Sequence, residues 1–189
     1  MDSTQENKLS VELLFTEGLK PNPATHFKFA PDDSCVTFLT KNATNPNELS
    51  IWRFDLAKHT TQEWLCAPAK NSTISESQFE KDERERKRQF TSGINDYYWH
   101  PNGSAMIVPT NGSVYSVDIT TPDAPKWKLL SQENGISAVK LSPQGSFISF
   151  ARDNNLYFQA INDESGIPIT QDEDPLIING LPDFLAAEE

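Results

Sequence analysis

The sequence predicts an all-β fold: a partial β-propeller of four-stranded antiparallel blades, with one short polar helix inserted. Three observations carry that reading. A turn phrase occurs three times, a second phrase follows it at constant spacing, and a block of polar residues separates the first copy from the second.

The turn phrase is FKFAPDDSCVTFLT from Phe27, YYWHPNGSAMIVPT from Tyr97 and VKLSPQGSFISFAR from Val139. Each copy alternates apolar and polar residues, passes through Pro-x-Gly/Asp-Ser, and alternates again. Proline fixes φ for a turn, and the Gly or Asp two residues later tolerates the turn's less usual angles, so each copy reads as a hairpin between two strands. The second phrase, SIWRFDL from Ser50, SVYSVDI from Ser113 and NLYFQAI from Asn155, sets an aliphatic residue before an aromatic one: Trp52, Tyr115 or Tyr157. Val114 and Leu156 each lie 13 residues beyond their turn prolines, Pro101 and Pro143. In the first copy the interval is 20, with the seven extra residues falling in the polar stretch KNATNPNE, where an insertion is tolerated. Pro101 and Pro143 are 42 residues apart, within the spacing of about 40 to 50 that marks propeller blades. A plain meander of hairpins has no need of equal registers. A closed propeller has roughly 4 to 8 blades, so about three repeats form only part of a ring.

Pro31 and Pro101 are 70 residues apart, a surplus of 28 over the next interval. The surplus contains STISESQFEKDERERKRQ. Its capping-box pairs are Ser75 with Gln78 and Ser77 with Glu80, its acids come early, and Arg84, Arg86, Lys87 and Arg88 come late. That order complements a helix dipole and predicts a short polar helix. The reading is one domain over 1–189 with a helical insert at about 67–92. By charge alone the insert is a solvated surface arm. The sharper alternative is an arginine end that reaches a binding cavity, where a guanidinium fork can hold a carbonyl or carboxylate.

Composition narrows the function classes. With 37% apolar residues and 10% aromatic ones, the 189-residue chain is globular rather than disordered. A net charge of −11 repels phosphate backbones, which argues against nucleic acid, and no apolar run is long enough for a membrane helix. MDSTQENKLS lacks the basic start and apolar core of a secretory signal, so the chain reads as cytoplasmic. Cys35 and Cys66 have neither CxxC spacing nor a histidine cluster beside them and read as packed free thiols; no metal or cofactor is expected. The sequons at Asn102 and Asn111 are Asn-Gly turns. GISAV at Gly135 is not a G-x-S-x-G elbow, and His26, His59 and His100 have no Ser and Asp at triad spacing, so they read as surface or loop histidines. Asp172, Glu173 and Asp174 lack EF-hand spacing and read as a solvated loop.

Four phrases taken in order, ERERKRQ, SGINDYYWHPNGS, ARDNNLYF and NGLPDFLAAEE, resemble the N-terminal β-propeller of the dipeptidyl peptidase IV family within the prolyl oligopeptidase superfamily, over roughly Phe27 to Glu189. The resemblance implies the recognition part of a serine exopeptidase that releases N-terminal dipeptides with proline or alanine second. It implies that Glu188 and Glu189 hold the free amino terminus of the substrate. Arg88, with Arg86 as the alternative, would contact the substrate's backbone carbonyl. It further implies partners: peptides with a free N-terminus, the remaining blades, a hydrolase domain not found in these residues, and a second subunit of a dimeric parent. This chain alone is then catalytically silent, and with an open ring it is expected to self-associate. The competing reading is a non-catalytic interaction scaffold of the TolB-like kind.

Overall fold

In a computed structural model of the chain, residues 23–69, 92–131, 135–174 and 176–182 are described. They form three sheets that follow one another along the sequence. The first blade runs through β1 (Thr25–Phe29), β2 (Cys35–Lys41), β3 (Glu48–Asp55) and β4 (Thr60–Leu65). A two-residue strand, β5 (Ser92–Gly93), then pairs parallel with the start of β3, an addition that the sequence pattern did not predict. The second blade is β6 (Tyr98–Trp99), β7 (Ala105–Thr110), β8 (Ser113–Asp118) and β9 (Lys126–Ser131). The third is β10 (Ser137–Leu141), β11 (Phe147–Arg152), β12 (Asn155–Ala160) and β13 (Ile167–Pro168). Within each blade, neighbouring strands pair antiparallel in chain order. No helix occurs among the described residues; of the expected helical insert at about 67–92, residues 70–91 lie outside them.

The repeat read from the sequence is a repeat in space. Trp52, Tyr115 and Tyr157 all lie on the third strand of their blades, opposite Phe38, Val108 and Phe150, each seven residues past its turn proline. The turns are superimposable in their bonding. Ala30, His100 and Ser142 each donate N–H to the carbonyl at the start of the second strand, and each accepts from the residue three further on, Asp33, Gly103 or Gly145. Those three residues have φ of 57°, 72° and 75°, the left-handed region that Gly and Asp enter most readily. His100 therefore serves as a turn residue. Its ring packs against the next turn so closely that a Cβ on Gly145 would overlap it.

Two apolar cores lie between the sheets. Leu39, Ile51 and Leu65 of the first blade meet Tyr97, Met106, Val108 and Val117 of the second. Ile107, Val114 and Leu130 on its other face meet Val139, Ile148 and Phe150 of the third. Because side chains alternate along a strand, the middle strands of the second blade supply one core with Met106, Val108 and Val117 and the other with Ile107 and Val114. Cys35 is buried in this packing, but Cys66 is exposed, against the expectation that both thiols are packed; it sits at the end of β4, 3.3 Å from the Asn42 amide.

Candidate functional site

The turns between second and third strands define one rim of the blades. Asn111 and Gly112 (φ 54° and 73°) make the tight turn of the second blade, Asp153 and Asn154 (48° and 59°) that of the third. Two successive positive φ values are the geometry whose twist matches a β-hairpin. In the first blade the seven-residue excess sits at this same rim. There the Asn42 side-chain oxygen accepts from the backbone N–H of Thr44 (2.9 Å) and Asn45 (2.8 Å), closing the longer loop on itself.

Both ends of the insertion are rooted on this rim. Ala69 is the last described residue before it and Ser92 the first after it. Ser92 N–H donates to the Asn47 carbonyl (2.9 Å) and Ile94 N–H to that of Leu49 (3.0 Å). Gly93 lies so tightly on β3 that a Cβ there would come within 2.5 Å of the Leu49 oxygen. On the other side the Thr110 hydroxyl donates to the Gly93 carbonyl (2.9 Å), and the Asn111 amide donates to that of Pro68 (3.2 Å). These contacts enclose a cavity of about 150 Å³ lined by Glu48, Pro68, Ala69, Ser92, Gly93 and Asn111. Among the described residues of that lining, Glu48 is the one carboxylate.

The segment that leads toward the C-terminal glutamates reaches the same rim one blade further on. Asn155 fastens its start, accepting from Asp172 N–H (2.9 Å) and from the Thr170 hydroxyl (2.9 Å). Asn179 N–H donates to the Asn154 carbonyl (2.9 Å), and the Asn179 amide donates to the Asp172 carboxylate (2.8 Å). Gly180 then lies against Leu156 and Ala151. Asp172 and Asp174 are thus used for local bonding, the latter accepting from Leu176 N–H (2.9 Å). Among the described residues no group of three His, Cys, Asp or Glu side chains could hold a metal ion.

A second cluster joins the first strands of the three blades. Lys28, Tyr98 and Lys140 each lie three residues before a turn proline. The Lys28 ammonium bonds the Asp96 carboxylate (3.1 Å) and the Tyr97 carbonyl, and it stands over the Tyr98 ring, 4.7 Å from the centroid. The Tyr98 hydroxyl donates to Asp96 (2.6 Å) and accepts from Lys140 (3.1 Å). Behind them, buried Tyr97 donates its hydroxyl to the His26 carbonyl (2.7 Å), and Thr37 accepts from the Trp99 indole (3.0 Å). Burial acts to raise the Asp96 pKa, but the Tyr98 hydroxyl and the Lys28 charge outweigh it and hold the carboxyl below its usual value. Burial pushes the Tyr97 phenol upward. This cluster can stitch blades together and fix their register. It escaped the sequence reading although its signal was there: the shared position before each proline.

The residues expected to bind substrate, Glu188, Glu189, Arg88 and Arg86, lie outside the described residues. Fold and rim define a class, a β-propeller segment with two chain excursions rooted side by side. TolB from Acinetobacter baumannii has the same kind of fold, with a TM-score of 0.50 at 17% identity over 79% of this chain and 33% of that one. Residues 100–189 match the dipeptidyl peptidase IV N-terminal region, in agreement with the resemblance seen in the motifs. Curated relatives agree. A protein described as a probable dipeptidyl peptidase 4 of Aspergillus fumigatus is 34% identical over 102 residues, 49% of this chain and 13% of that protein. A probable dipeptidyl-aminopeptidase B of Pyrenophora teres f. teres is 30% identical over 78 residues, 41% of this chain and 9% of that protein. The chain spans about an eighth of the length of the first of these relatives.

Proposed function

We propose that this chain is the substrate-recognition part of a serine exopeptidase that releases dipeptides from peptide N-termini, with proline or alanine at the second position. Glu188 and Glu189 bind the substrate ammonium, and Arg88, or else Arg86, binds its backbone carbonyl. Paired carboxylates suit this task because they form charge-assisted bonds with a free amine and leave a buried charge unpaired when the amine is already acylated. The observation that carries the reading is the match to the dipeptidyl peptidase IV N-terminal region, which runs through Glu188 and Glu189. The geometry of the rim supports it. Ser92 stands four residues after Arg88, Asn179 stands nine before Glu188, and they are fastened to the same rim, on the first and third blades. A hydrolase domain carried elsewhere on the polypeptide supplies the nucleophile, and these residues supply selection by the free amine.

The test uses the complete enzyme. Replacing Glu188 or Glu189 by Gln removes a contact worth roughly 1.5 to 3 kcal/mol. That loss lowers kcat/KM for dipeptide release by about one to two orders of magnitude. Reaction of the catalytic serine with a small phosphonate lacking an amine stays at the wild-type rate. Unchanged kcat/KM, or a parallel loss of phosphonate reactivity, contradicts the assignment.

A further inference from the structure

One turn of the second blade holds both ends of the insertion. Asn111 donates its amide to the Pro68 carbonyl (3.2 Å), and the neighbouring Thr110 donates its hydroxyl to the Gly93 carbonyl (2.9 Å). Two consecutive residues thus fasten main-chain points 25 residues apart. Thr110 is buried, and it forms an antiparallel bridge with Ile94, which is buried as well. The acceptors are backbone carbonyls, so the hold does not depend on the side chains of the insertion. The repeat does not call for it. Nine and ten residues past the turn proline, where the second blade has Thr110 and Asn111, the first has Thr40 and Lys41 and the third has Arg152 and Asp153, with no side-chain amide at either place. Arg152 and Asp153 instead pair with each other (3.7 Å). Nor does the first blade need it for completeness: β1 to β4 pair in chain order, and Ser92 and Ile94 already bond to the first blade through the main chain.

We propose that Thr110 and Asn111 are positioning residues for the carbonyl-binding arginine, acting on it through the insertion ends that they hold. This rests on the reading given above, in which Arg88, or else Arg86, contacts the substrate. Chain length ranks the two bonds. Gly93 stands five residues after Arg88, which is at most roughly 18 Å of chain, so a shift of the Gly93 carbonyl is passed on over a short lever. Pro68 stands 20 residues before Arg88, and its bond acts less directly, by keeping the two ends of the excursion together. Misplacing a substrate-positioning group by about 1 Å costs on the order of 10²-fold in rate. Loss of one hydrogen bond at the root of the excursion displaces the arginine by less, so the effect expected at Thr110 is about tenfold and that at Asn111 about threefold.

Kinetics of the complete enzyme test it. Thr110→Val removes the hydroxyl at nearly constant volume, and Thr110→Ser keeps it. Asn111→Gly removes the amide and keeps the turn, because glycine enters the positive φ of this position freely. Thr110→Val and Asn111→Gly are expected to lower kcat/KM for dipeptide release about tenfold and about threefold, while Thr110→Ser holds the wild-type value. All three react with the small phosphonate at the wild-type rate. Combined with Arg88→Ala, or with Arg86→Ala if that is the arginine whose loss lowers kcat/KM, neither Thr110→Val nor Asn111→Gly causes a further loss. If Thr110→Val does not fold, Asn111→Gly carries the test alone. Unchanged kcat/KM in the folded variants overturns the proposal, and a loss in Glu188→Gln measured beside them confines that failure to the two positioning residues. A loss that persists after the arginine is removed, or a parallel loss of phosphonate reactivity, also overturns it, because the turn then only supports the fold. If neither Arg88→Ala nor Arg86→Ala lowers kcat/KM, the arginine assignment itself fails and the proposal falls with it.

Discussion

The two blade junctions solve the same packing problem with different chemistry. Between the second and third blades the buried contact is mainly hydrocarbon, Ile107 and Val114 against Ile148 and Phe150, with the Gln159 amide bonded to the Leu130 carbonyl (3.1 Å) and Lys140 bonded to the Tyr98 hydroxyl (3.1 Å). Between the first and second the apolar core is joined by a polar network of Thr37, Tyr97, Trp99, Lys28 and Asp96. Hydrocarbon burial is strong but tolerant of sliding, whereas buried hydrogen bonds have one good register. The junction that carries both roots of the insertion is the one with the specifying bonds. If the arginines of that insertion position a substrate, a fixed register beneath them is where fixity has value.

Substitutions at each junction break the comparison in different ways. Phe150→Ala should cost most, about 3–5 kcal/mol in denaturant unfolding, because Phe150 is fully buried and stacked on Tyr157 at 5.6 Å. A loss under about 1 kcal/mol would mean that the second junction is loosely packed. Thr37→Val keeps the volume but removes the acceptor of the Trp99 indole, and should cost roughly 1–3 kcal/mol. If it costs nothing, the network is ornamental. Gly145→Ala should destabilise more than Gly103→Ala. Both have positive φ, but only the Gly145 Cβ meets an imidazole, whereas Gly103 has 3.8 Å to Pro31.

The smallest effect is on pH dependence. A carboxyl depressed below its unfolded value contributes stability that is present above about pH 3.9 and lost as pH falls through the folded value. Asp96 should therefore weaken the first junction selectively in acid, read as the ratio of hydrogen exchange at Tyr97 to that at Phe150. Asp96→Asn should flatten that ratio. A wild-type ratio that does not change below pH 4 would remove Asp96 from the account.

Much of the fold was legible because its determinants are local. Pro and Gly fix the turns, alternation fixes the faces, and equal spacing placed Trp52, Tyr115 and Tyr157 on equivalent strands. β5 was not legible: two residues, Ser92 and Gly93, carry no period, and their pairing depends on β3 being already in place. The Lys28–Asp96–Tyr98 cluster was missed because it joins residues about 70 apart in sequence, and only spatial superposition of the repeats brings them together. Cys66 misled because a thiol's usual burial is a tendency of cores, and this one ends an outer strand. Glu188 and Glu189 lie outside the described residues, and their proposed role as an ammonium site rests on the likeness to a family.

The measurement that bears most directly on the central claim is a structure of the complete enzyme with a bound, uncleaved peptide bearing a free N-terminus and proline second. The account predicts the peptide ammonium within hydrogen-bond distance, about 2.7–2.9 Å, of carboxylate oxygens from both Glu188 and Glu189, with the guanidinium of Arg88 or Arg86 on the first carbonyl. An ammonium bound by other groups, with Glu188 and Glu189 turned to solvent, would contradict it.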